Sequence, residues 1–124
     1  MASVDNTIRF QGDPDRLAIA IPEINALAEI GDRVVLNVVD ALIAQYQGQT
    51  QARLQDSAVL NELRFSRDPV ALDVLSIAEL ERQRELKDID LATSHRSLYE
   101  NATLLEIGVS DPSLIHIETL RSTP

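Results

Sequence analysis

The sequence predicts an all-α fold: two long helices arranged like a helical hairpin, with an irregular N-terminal segment and a short C-terminal tail. Three observations predict it. After Pro69, residues 68–107 contain no Gly or Pro until Gly108, and forty helical residues would extend roughly 60 Å at about 1.5 Å per residue. Residues 24–47 place apolar side chains at helical spacing. Aromatics are only 3% of a chain that is 44% hydrophobic, so the core must be aliphatic, which favours helix-on-helix packing over a deep pocket. The chain divides into a flexible segment (1–23), a helical assembly region (24–107) and a tail (108–124).

Taken in order, residues 1–23 carry the breakers Gly12, Pro14 and Pro22, and Gly-Asp-Pro-Asp at 12–15 is a turn signal. The apolar patch 17–21 lacks helical periodicity. Residues 24–47 read as the first helix. Ile24, Leu27, Val34, Val38 and Leu42 fall near one face; Val35, Val39, Ile43 and Tyr46 fill an adjoining one. Gly31 costs this helix about 1 kcal/mol against Ala. The β-branched run Val34, Val35, Val38, Val39 makes a strand the competing reading, and the spacing of the apolar pairs favours the helix. Gly48 weakens it, and the Gln-rich stretch 49–66 reads as a partly helical connection, with Ser57 as an alternative cap for a short helix.

The second helix opens on Asp68, an N-cap residue, and Pro69, suited to the first helical position. Gly108 is placed to stop it. Its start is apolar, and its middle, 81–88, reads ERQRELKD. A heptad ladder through Ile77, Arg84, Leu91, Leu98 and Leu105 is interrupted at Arg84. Opposite charges stand at Glu79/Arg82, Glu81/Arg84 and Arg84/Asp88, each pair worth a few tenths of a kcal/mol, as on a solvated face. Beyond Gly108, Asp111-Pro112 repeats the capping signal. The segment 113–120 suits either a final helical turn or two or an edge strand.

Charge narrows the function classes. The 124-residue chain has a formal net charge of −9, which disfavours nucleic acid and anionic membrane surfaces as partners. Residues 68–107 hold nine acids and four bases, a net of −5, whereas 31–67 hold four of each. The neutral middle is therefore the better candidate for burial against a partner. There is no Cys, which excludes disulfides and thiolate metal sites. No basic region followed by an apolar run opens the chain, so no cleaved signal peptide is expected.

Catalytic, cofactor and metal-ligating residues are not expected. His95 and His116 stand alone. Ser94 and His95 point about 100° apart on a helix and make no nucleophile–base pair. The acid pairs Asp13/Asp15 and Asp88/Asp90 suit a turn and a helix face. No phosphate-binding glycine loop, nucleophile elbow or calcium loop occurs.

Several landmarks resemble the inner-rod, or needle-adaptor, family of bacterial type III secretion systems. Gly31-Asp32-Arg33-Val34-Val35 looks like that family's Asp-Arg followed by two aliphatics. Asp68-Pro69 with Leu72 looks like the start of its last long helix, and Leu104-Leu105 like its end, at similar separations. The likeness covers about 31–107. It departs from the pattern at Ser76 or Ile77, where the family usually carries Gln, and in the extra residues 109–124. The resemblance implies a structural, non-enzymatic protein of the bacterial cell envelope, exported without a cleaved signal peptide. It would join the export apparatus to the needle and line the export channel, with no cofactor, nucleic acid or small-molecule substrate. It further implies a helical homo-oligomer touching export-apparatus and needle proteins. Leu27, Val34, Val38, Leu42, Leu91, Leu98, Ala102 and Leu105 would be subunit contacts, and Asp68, Pro69 and Gly108 helix caps. The isolated chain would be weakly folded and order on assembly. The alternatives are an acidic helical chaperone or regulatory binding protein of a secretion system, expected to be a stable dimer, and a helical accessory subunit of an enzyme. A β-sheet where 34–43 or 68–107 reads as helix would end the two-helix account.

Overall fold

The computed structural model describes residues 13–48, 51–90 and 96–121. In order, they form helix α1 (Pro14–Asn25), the single turn α2 (Ala28–Gly31), strand β1 (Asn37–Gln45), a 3-10 turn (Leu54–Asp56), strand β2 (Ser57–Ser66), helix α3 (Pro69–Glu85), helix α4 (Arg96–Leu104) and a second 3-10 turn (Pro112–Leu114). The fold is mixed: among the described residues it has four helices and a two-stranded antiparallel sheet. This overturns the all-α expectation.

The first correction concerns 24–47. The helix occupies 14–25 instead, across the boundary expected at 23, and 37–45 is a strand. Asp13 caps α1, its Oδ1 accepting from the N–H of Asp15 (3.1 Å) and Arg16 (3.3 Å). Pro22, fully buried inside α1, has no N–H for the carbonyl of Ala18. The side-chain amide of Asn101 on α4 donates to that carbonyl at 3.1 Å. A residue of α4 thus completes the hydrogen bonding of α1.

The stretch 34–46 is apolar at both helical and strand spacing, so local periodicity does not decide it. Its valines favour extended backbone, and the deciding contribution is a partner strand, which supplies cross-strand pairs. Residues 49–66, expected to be partly helical, contribute the 3-10 turn and that partner, β2. The register sets Val38 against Phe65, Val39 against Arg64 and Asp40 against Leu63. It shifts between Ala41 and Ile43, where Asn61 takes a positive φ of 55°. Asn tolerates that left-handed conformation, and the shift is a β-bulge with the extra residue on β2. The connecting loop is tied by its own polar groups: Gln45 donates to Gln51 O (2.6 Å) and accepts from Arg53 N–H (2.9 Å).

The second correction concerns 68–107, which is not one helix. α3 ends at Glu85. Ile89 N–H donates to Arg84 O (3.0 Å) and Asp88 N–H to Glu85 O (3.2 Å), with Asp88 at φ 53°. This is a Schellman ending with Asp, not Gly, in the left-handed position. α4 ends the same way: Ile107 N–H reaches Ala102 O (3.0 Å), Glu106 N–H reaches Thr103 O (3.0 Å), and Glu106 has φ 59°.

α3 lies at the centre. Val70, Ala71 and Leu72 are buried, and the helix meets the sheet on one side and α4 and the Pro112–Leu114 turn on others. Arg64 donates from β2 to Leu75 O (3.3 Å), and Arg84 donates to Tyr46 O (2.6 Å), tying the far end of α3 to the residue that follows β1. The charged middle is therefore not simply solvated. Gln83 is buried, and Arg84 is half-buried and turned to the sheet. Of the three expected charge pairs, Glu79–Arg82 forms, at 2.6 Å.

Candidate functional site

Among the described residues no group of three or more His, Asp or Glu side chains is placed to hold a metal ion, and no helix is long and apolar enough to cross a membrane. His95, Ser94 and Leu91 lie outside the described residues. His116 is exposed, 3.5 Å from Glu118. Asp13 is spent on its cap and Asp88 on the end of α3. Burial raises the pKa of Asp73, and burial followed by the charge of Asp73 raises that of Tyr99.

The distinctive feature is apolar surface left uncovered. On the outer face of the hairpin Val38 is 55% exposed and its partner Phe65 59%. Leu42 and Leu63 are exposed on the same face, Val35 lies just before it, and the pair Ile43–Val59 is exposed beyond the bulge. The opposite face carries Asn37, Val39 and Ala41 against Ser66, Arg64 and Glu62. Arg64 reaches α3 from there, and Ala41 is buried.

The expected subunit contacts separate accordingly. Leu27, Val34, Val38, Leu42 and Leu105 are exposed, Leu98 is half-buried, and Ala102 is buried inside the chain. The structure brings Val38 and Leu42 together on the hairpin. Leu63 and Phe65 were missed because 49–66 read as a helical connection. Their alternation with Glu62, Arg64 and Ser66 was the available signal.

A groove of ≈ 980 Å³ adjoins the outer face of the hairpin: it is lined by Leu42 of β1, residues 61–66 of β2, Ala71, Leu72, Leu75 and Ala78 of α3 and residues 115–120, so Leu42, Leu63 and Phe65 belong to both. Glu79 and Arg82 stand on its floor; the hydrogen bond from Arg82 is the main cause of the lowered Glu79 pKa.

The caps converge on one carboxylate. Asp68 Oδ1 accepts from Ala71 N–H and Oδ2 from Val109 N–H, both at 2.8 Å. Gly108 lies against this carboxylate, where a Cβ would collide with Oδ1. Gly108 therefore does not end the long helix by a left-handed turn; it lets the chain pass close to Asp68.

No protein-family model, no curated protein and no solved structure matches this chain.

Proposed function

We propose that the chain is a structural component of a protein assembly, not an enzyme, and that it associates with a second copy of itself through the outer face of the β1–β2 hairpin. The observation that carries this reading is the exposed Val38–Phe65 pair with Leu42 and Leu63 beside it. Contiguous apolar surface of this kind marks interaction sites. Charge supports a self-complementary contact. Residues 31–67 are neutral overall in a chain of net −9, so two copies can meet here with little repulsion. The narrower expectation, a rod subunit of a type III secretion apparatus, rested on short landmarks within 31–107 and on two long helices, and 37–45 is a strand.

Sedimentation velocity across micromolar to submillimolar concentration tests it. The chain is expected to self-associate and Val38→Asp to remain monomeric with an unchanged circular dichroism spectrum. A wild-type chain that stays monomeric throughout would overturn the reading.

A further inference from the structure

We infer that residues 115–120 form a strap that docks onto Leu63 and Phe65 across the groove and so competes with a second copy for the same face; the competition rests on the self-association reading. The strap and the face share one cavity. Residues 115–120 line the groove together with Leu42, Leu63 and Phe65, which are exposed apolar groups of the hairpin's outer face. Both sides of the cavity are left uncovered: Ile117 is 62% exposed and Leu120 95%, against 56% for Leu63 and 59% for Phe65. Bringing them together removes apolar surface of both from water. The backbone permits it. Up to Ile115 the segment is pinned: Val109 N–H donates to Asp68 (2.8 Å), the Thr103 hydroxyl to that of Ser110 (2.9 Å), and Ile115 N–H to Pro112 O (3.3 Å). Beyond Ile115, among the described residues, no backbone–backbone hydrogen bond holds 116–120. The run is anchored at one end beside the groove, and no backbone pairing fixes the rest.

Tethering selects this occupant over a separate chain. A short flexible connection presents its segment at an effective concentration on the order of millimolar, and a second copy at micromolar concentration is far more dilute. The charges of the groove do not oppose closure. Arg64 is paired with Glu62, Arg82 with Glu79, and His116 lies beside Glu118 within the strap itself, so apolar contact is what remains to be made. Two copies that meet through the same face must both have it open. A strap that is closed most of the time therefore weakens self-association without abolishing it. The chain stays monomeric when dilute and associates when copies are crowded together.

Closure and competition are tested separately on the full chain. Val38 does not line the groove, so Val38→Asp is expected to keep the chain monomeric and leave the strap free to dock. In that variant, nuclear Overhauser contacts are expected from the methyl groups of Ile117 and Leu120 to Leu63 and Phe65. Competition is read by sedimentation velocity of Ile117→Ser/Leu120→Ser. Both side chains are exposed, so the melting temperature should be retained. The double variant is expected to self-associate about tenfold or more tightly than the wild type, as for a face freed from a strap that covers it about nine-tenths of the time. Absence of the Ile117 and Leu120 contacts in the Val38→Asp chain would overturn the strap, whatever the oligomeric state. Contacts present with equal or weaker association of the serine variant would overturn the competition, because the strap would then lie beside the contact or form part of it. If wild type and serine variant both remain monomeric, the self-association reading fails and the competition with it, while the contacts by themselves still uphold the docked strap.

Discussion

Asp68 and Val109, 41 residues apart, are joined by a 2.8 Å hydrogen bond from the Val109 N–H to the Asp68 carboxylate. The same carboxylate caps α3 through Ala71 N–H. Two parts of the chain share one acceptor group, with Gly108 pressed against it. Gly108→Ala must displace that carboxylate and is expected to cost about 2 kcal/mol or more, within the range for overpacking plus a lost cap. Asp68→Ala should cost about 1–2 kcal/mol alone and make Gly108→Ala nearly neutral. Urea denaturation of the four chains checks both the sizes and the coupling.

Asn101 occupies the place of the helical donor that Pro22 lacks. Removing its amide leaves the Ala18 carbonyl buried without a partner. Asn101→Ala is expected to cost about 1–3 kcal/mol. In a Pro22→Ala background, where a backbone N–H is restored, the same substitution should cost about 1 kcal/mol less. A thermodynamic cycle with no coupling would refute the pairing.

Among the described residues three other than glycine hold a positive φ: Asn61, Asp88 and Glu106. Glutamate has no short side chain to compensate locally, and the conformation costs an L-residue about 1–2 kcal/mol. Glu106→Gly is therefore expected to raise stability by about 1 kcal/mol and Asp88→Gly by less. Both should appear as a shifted denaturation midpoint with an unchanged slope.

Two carboxylates pull stability in opposite directions with pH. Burial raises Asp73 above its ordinary 3.8. The folded chain binds that proton more tightly, so this contribution is complete below about pH 3.8 and is lost as pH rises through the raised value. Asp73→Asn should thus stabilise the chain at neutral pH by a few tenths of a kcal/mol, with the gain vanishing in acid. Glu79 is lowered from 4.5, chiefly by the hydrogen bond from Arg82. Its contribution is present above that value and lost as pH falls. Glu79→Gln should lower the melting temperature at neutral pH and converge with the parent chain in acid.

The local signals in the sequence were legible, and the long-range ones were not. Asp68-Pro69 opens α3, and Asp111-Pro112 opens a 3-10 turn. Both motifs act within three or four residues. The strand at 37–45 depends on 57–66, which a helical period computed over neighbours does not register. The break after Glu85 was hidden because its left-handed residue is Asp88 where a glycine was sought. The candidate surface was half visible: Val38 and Leu42 stood out by spacing, while Phe65 and Leu63 become their neighbours only once the strands pair.

The Asn101–Ala18 contact spans 83 residues, which has a bearing on biosynthesis. A twelve-residue helix is marginal in water by itself, and α1 carries an internal proline as well. It leaves the ribosome before α4, which carries its missing donor. Its backbone is therefore satisfied only after Asn101 has emerged, and a nascent chain stalled ahead of Asn101 would hold that segment open to proteases.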